Sequence, residues 1–165
     1  LDKLEINNQT VFSYVMNNYW HTNFRASQGG EHDFRYVITS HKGDLNKVTA
    51  TRFGFEQFYP LYAQYVENPN SGKYPESYSF MNIDQNNIII QAIKQAEDGD
   101  GYILRLREIN GKETKASLSS PLLINSKSAY LTNLLEDNQA ALTVAGGKIA
   151  VTVKPYEIVT IRIKQ

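Results

Sequence analysis

Apolar and polar residues alternate along most of this chain, which is the period of strands rather than helices. In "SYVMNNYWHTNFRAS", residues 13–27, Tyr14 and Met16 continue the side begun by Phe12, while Ser13 and Val15 face the other way. The stretch therefore opens as a strand. "SQGGEHD" then supplies turn glycines, and "FRYVITSH" resumes the extended pattern. "GDLNKVTATRFGFEQFYP" breaks the alternation: Val48, Arg52, Phe55 and Phe58 recur at three- to four-residue steps and predict a helix between Asp44 and Tyr59. Asp44 or Asn46 offers the cap, and Pro60 ends the run.

"ENPNSGKYPES" gathers proline, asparagine, serine and glycine and is the best candidate for a boundary. It divides a β-rich segment with a short helix, residues 1–70, from an antiparallel β-sandwich, residues 71–165. Beyond it, "SFMNIDQNNIIIQAIKQAE" and "GYILRLREI" read as strands joined by a hairpin connection at Asp98-Gly99-Asp100-Gly101. Asn110-Gly111 and Gly146-Gly147 each signal a further hairpin, because both turn residues must take positive φ. "KPYEIVTIRIKQ" closes the chain as a strand with Val159, Ile161 and Ile163 on one side. Short strands at regular spacing with tight turns predict an all-β fold: an antiparallel β-sandwich with one or two short helices.

Composition narrows the function classes. Lysine plus arginine equal aspartate plus glutamate at 17 each, with no basic stripe, so nucleic-acid binding loses its electrostatic support. The chain has no cysteine, which excludes disulfides and thiol catalysis. No apolar run approaches the length of a membrane span. The chain opens on Leu1 and reads as a piece of something longer, and its asparagine- and lysine-rich composition points to a bacterial source.

The chemistry-bearing residues are sparse. His21, His32 and His41 lack the spacing of a zinc helix, and "EDGDG" lacks the twelve-residue calcium pattern. "GGK" at Gly146 to Lys148 has neither the first glycine nor the hydroxyl residue of a phosphate loop. Asn8-Gln9-Thr10 is a glycosylation triplet of the kind that recurs by chance. Glu136-Asp137 and Glu157 are candidates for buried carboxylates that accept backbone or arginine hydrogen bonds, a structural role. No acid pair or nucleophile setting emerges, so no catalytic residue is assigned.

Function competes with structure only in the opening stretch. Asn17, Asn18, Trp20, His21 and Asn23 can form a sugar-facing set, since aromatic faces stack on sugar C–H faces and amides pair with hydroxyls. The plainer reading makes Trp20 core, with Asn17, Asn18 and Asn23 bonding backbone groups in an irregular strand.

"YVMNNYWHTNFRASQGGEHDFRYVITSH" resembles a segment of the glycoside hydrolase family 38 α-mannosidases, from the β-rich region downstream of their catalytic domain. "IIIQAIKQAEDGDGYILRLREINGK", "NLLE" and "VKPYEIVTIRIKQ" are similar to the C-terminal end of the same family, in the same order. Together these runs span nearly the whole chain, with residues 42–80 resembling the family less. The resemblance implies part of a galactose-mutarotase-like supersandwich followed by a C-terminal β-sandwich. It implies a parent enzyme that hydrolyses α-mannosides with retention, using an aspartate nucleophile and a divalent cation, usually zinc. Those groups lie upstream of the matching motifs, so no catalytic or metal residue and no cofactor is carried over to this chain. The implied partners are the parent's catalytic domain and a mannose-containing carbohydrate, reached through Asn17, Asn18, Trp20, His21 and Asn23 at the substrate rim. Nucleic acid and membrane are not implied. The alternative is a self-standing carbohydrate-binding or adhesion β-sandwich.

Overall fold

A computed structural model describes residues 7–19, 21, 23, 25–67, 72 and 74–165. Trp20, and with it the expectation that this side chain is buried, lies outside the described residues, as do residues 68–71 around the expected boundary. The chain divides into two compact units, Leu1–Ser40 and His41–Gln165.

The second unit begins with helix α1, Lys47–Phe58. Asn46 caps it, its side-chain oxygen accepting the Thr49 N–H at 3.1 Å, which satisfies one of the amides a helix start leaves open. Arg52 fastens the helix through donated bonds to the carbonyls of Asn86, 2.6 Å, and Ile88, 3.2 Å. Val48 packs with Ile89 and Ile109, and Phe55 lies partly buried against them. Phe58 does not join this contact. Although the three- to four-residue spacing placed it on the inward stripe, it is 77% exposed, because the helix touches the sheet mainly along its first two turns.

Among the described residues nine strands follow: β1 Asn82–Ile83, β2 Ile88–Gln95, β3 Tyr102–Glu108, β4 Thr114–Ser119, β5 Ser128–Thr132, β6 Asn138–Leu142, β7 Val144–Ala145, β8 Lys148–Val153 and β9 Ile158–Lys164. A one-turn helix, α2 Pro121–Ile124, sits between β4 and β5. The strands form a four-stranded sheet in the order β1-β4-β8-β7 and a five-stranded sheet in the order β2-β3-β9-β5-β6. All pairings are antiparallel, and together the two sheets make the predicted sandwich.

The core follows from side-chain parity. On β8, Ile149, Val151 and Val153 point inward while Lys148, Ala150 and Thr152 face out. They meet Leu104 and Leu106 of β3, Ala116 and Leu118 of β4, and Val159, Ile161 and Ile163 of β9. β9 is buried on both sides, since its outward-parity residues Thr160 and Arg162 are also covered.

Two sequence expectations change. Gly146-Gly147 does join paired strands, β7 and β8, and Asp98 to Gly101 joins β2 and β3. Asn110-Gly111, expected as a hairpin, instead carries the chain from β3 in one sheet to β4 in the other. Gly111 takes positive φ, 77°, but Asn110 does not, so the expected turn with both residues at positive φ does not form. In the first unit, the alternation of residues 12–16 and 34–38 yields no strand among the described residues. A strand is a paired state, and alternation alone supplies no partner for its backbone groups. Among the described residues, no helix is long and apolar enough to cross a membrane.

Core truncation separates the two kinds of apolar residue. We expect Leu118→Ala, at a fully buried site, to cost about 2–5 kcal/mol in urea denaturation. Phe58→Ala, at the exposed helix end, should stay within about 0.5 kcal/mol of the parent chain.

Candidate functional site

In the first unit, Asn17, Asn18, Tyr19, Arg25 and Gln28 line an open hollow of about 510 Å³. The Tyr19 and His21 rings stand edge to face, 6.3 Å apart at 71°. Ser13 Oγ and Tyr36 Oη share a hydrogen bond of 2.7 Å, tying the start of the stretch to the segment after the glycine turn. Two of the five rim candidates, Asn17 and Asn18, therefore share one surface. His21 contacts the Tyr19 ring but does not line the hollow, Asn23 is exposed, and Trp20 lies outside the described residues. The Asn18 Oδ1 is buried without a hydrogen-bond partner. Arg25 and Gln28 were not anticipated, although the alternation already places Tyr19 and Arg25 beside the asparagines in sequence.

The second unit holds two buried carboxylates of different kinds. Glu108, at the end of β3, is fully buried. Its Oε1 accepts from Asn87 Nδ2 at 2.8 Å and the Asn110 N–H at 2.7 Å. Its Oε2 accepts from the Gly111 N–H at 2.7 Å and the Tyr156 N–H at 2.9 Å. Burial by itself would raise its pKa, but the bonds from Tyr156, Asn87, Asn110 and Gly111 outweigh it and lower the value from 4.5 to about 2. A carboxylate so held is a poor general base. Its environment makes it a fastener.

Glu136 is the second, and it takes the structural role expected of it. It accepts the Glu97 N–H at 2.8 Å and pairs with Lys94 at 2.8 Å, with Arg105 3.9 Å away. The Lys94 hydrogen bond is the main reason its pKa lies below the ordinary value. The backbone here has φ of 73°, a left-handed conformation that the surrounding contacts maintain. Its carbonyl accepts Arg162 Nη2 at 3.0 Å, and Arg162 Nη1 reaches Asp98 Oδ2 at 2.6 Å. Lys164 pairs with Asp100 in the same turn. Glu157 differs: it is half-buried, and its carboxylate accepts only the nearby Lys154 N–H among these groups, at 2.7 Å. His21, His32 and His41 are all exposed, and among the described residues no three His, Cys, Asp or Glu side chains gather as metal ligands would.

The two facing antiparallel sheets, with charge sequestered in fasteners, define a β-sandwich module. Residues 87–161 match the C-terminal beta sandwich domain of the glycosyl hydrolases family 38. This is the sandwich described above. Over 135 residues the chain is 28% identical to Alpha-mannosidase G of Dictyostelium discoideum, covering 81% of the chain and 12% of that protein. Over 137 residues it is 25% identical to Alpha-mannosidase 2C1 of Homo sapiens, covering 80% of the chain and 13% of that protein. Only about an eighth of each relative's length is thus spanned. The resemblance to the C-terminal β region of family 38 is borne out: the matched residues 87–161 lie within the sandwich and are similar to that family's C-terminal beta sandwich domain.

The Glu108 fastener has a definite pH signature. Its folded pKa, about 2, lies below its ordinary value of 4.5, so its contribution is complete above pH 4.5 and is lost as pH falls through 2. Glu108→Gln turns one acceptor into a donor facing buried N–H groups, at a cost of about 2–4 kcal/mol near neutral pH. Urea midpoints measured from pH 7 downward should show the gap between the two proteins closing as acid protonates the carboxylate. A constant gap would assign the loss to packing instead.

Proposed function

We propose that this chain is a non-catalytic β module of an α-mannosidase-like glycosyl hydrolase, whose whole protein cleaves α-linked mannose from glycans or oligosaccharides. The observation that carries the proposal is the family match over residues 87–161, which falls on a sandwich built from structural fasteners. The divalent cation of the parent, zinc in this reading, is held by the catalytic domain and not by this chain. That catalytic domain is the proposed docking partner; nucleic acid and membrane are not.

Surface chemistry supports a protein partner. Leu61, Tyr62 and Tyr65 are each at least 85% exposed, and Phe58, Tyr59, Tyr74, Tyr78 and Phe80 add further ring area in the same unit. Apolar residues at this density along one segment favour burial against more protein. The sugar contact is assigned to the hollow beside Asn17 and Asn18, where the unpaired Asn18 Oδ1 favours a hydroxyl donor. A bacterial source rests on composition alone, whereas the two relatives named above come from Dictyostelium discoideum and Homo sapiens.

An aryl α-mannoside assay with zinc tests the proposal. The isolated chain should show no turnover above buffer, and turnover abolished by one substitution within it would overturn the non-catalytic reading. Calorimetric titration with mannobiose examines the rim. Asn18→Ala should remove whatever heat of binding the chain shows, and heat that survives this substitution places the sugar elsewhere.

A further inference from the structure

One sequence motif has a role that neither the sandwich nor the mannosidase reading uses. Asn110-Gly111 is the chain's one asparagine–glycine pair. In such a pair the glycine nitrogen, unobstructed by a Cβ, can attack the asparagine side-chain carbonyl. A C–N bond forms, the amide C–N bond breaks, and ammonia leaves with a cyclic succinimide behind. Water then opens the ring to aspartate or, through the other carbonyl, to isoaspartate. The sum is asparagine plus water giving acid plus ammonia. Attack requires the glycine nitrogen to lose its proton and swing toward the side chain.

Here that nitrogen is occupied. Its proton is donated to Glu108 Oε2 at 2.7 Å, and the neighbouring Asn110 N–H is donated to Oε1 at 2.7 Å. The accepting carboxylate is fully buried, and with its pKa near 2 it is too weak a base to remove an amide proton. Space is closed as well. Gly111 has φ of +77°, and a Cβ there would lie 2.7 Å from the Tyr156 ring. The backbone N–H of the same Tyr156 is bound to the same carboxylate.

We propose that Asn110 is a latent deamidation site, that Glu108 guards it by holding the Gly111 amide, and that its conversion irreversibly undoes the crossing from β3 to β4. Irreversibility follows from the loss of ammonia. Isoaspartate inserts one methylene into the main chain between the two amides that Glu108 holds, and aspartate places a second carboxylate beside it. Each opening of the fastener exposes the nitrogen, and reclosing protects it again. The rate therefore reports how often this corner opens.

The test is peptide mapping by mass spectrometry on the 165-residue chain in mildly alkaline buffer, folded and in urea beyond its midpoint. Asn110 should be the first asparagine converted in urea, and its conversion in the folded chain should be slower by at least about tenfold. Asn87→Ala removes one donor from Glu108 without touching the labile pair. While its circular dichroism shows it folded, it should deamidate at Asn110 faster than the parent. Equal rates in folded and unfolded parent chain overturn the guard. So does an unaltered rate in folded Asn87→Ala, and prior conversion of Asn70-Ser71 or Asn125-Ser126 in urea overturns the site.

Discussion

Three crossings between sheets gather at one end of the sandwich, β1 to β2, β3 to β4 and β8 to β9, and each meets the carboxylate of Glu108. The chain leaves the five-stranded sheet after β3 by way of Asn110 and Gly111, whose amides that carboxylate holds. It returns from β8 to β9 by way of Tyr156, whose amide binds the same group. Asn87, just ahead of β2, supplies the remaining donor and also bonds Thr114 Oγ1 at the start of β4. Two oxygens thus collect donors from both turns and from the threshold of another strand. Backbone amides in tight turns would otherwise be buried unpaired, a cost of roughly 1–3 kcal/mol each. Amide donors answer the charge as well as a cation would and also dictate where each loop runs. Tyr156 accepts φ of 59° to deliver its N–H, so local strain is part of the same arrangement.

The outer face of β9 is organised on a different plan. Arg162 is buried there between the β2–β3 turn, through Asp98 and the Asp100 carbonyl, and the β5–β6 turn, through the Glu136 carbonyl. Glu136 in turn gathers Lys94 and the Glu97 amide from the end of β2. The two hairpin turns of this one sheet are thereby laced across β9, which pairs with β3 on one side and β5 on the other. Gly101 belongs to this design, since a Cβ there would come within 2.3 Å of the Ile163 carbonyl. Acidic and basic groups alternate through this lacing, so each charge faces one of the opposite sign.

Period-two patterning made the sandwich legible. Lys148 to Val153 and Ile158 to Lys164 announce strands, and the glycine pairs announce turns. The helix was readable from Val48, Arg52, Phe55 and Phe58, and Asn46 rather than Asp44 proved to be its cap. What patterning could not give was the sheet to which each strand belongs. Asn110-Gly111 looks like any hairpin turn until Glu108 is seen to capture both amides and aim the chain across. The signal for Glu108 was nonetheless present: it shares the inward parity of Leu104 and Leu106, and a charged residue on a core stripe must be holding something. Asn17 and Asn18 were readable as a polar group, but their hollow required Arg25 and Gln28, which come from a different turn of the chain.

The two units show why alternation is necessary but insufficient for a strand. In the second, each alternating run finds a neighbour, and its inward residues reach exposures near zero. In the first, Val11, Phe12, Tyr14 and Ile38 carry a comparable pattern yet remain exposed, and no strand pairs there among the described residues. The free energy of a sheet lies in cross-strand contacts and in the apolar face they cover, not in the extended backbone itself. Extended sequence alone, without a covered face, supplies little of that free energy. The uncovered aromatic run from Phe58 to Tyr65 obeys the same logic.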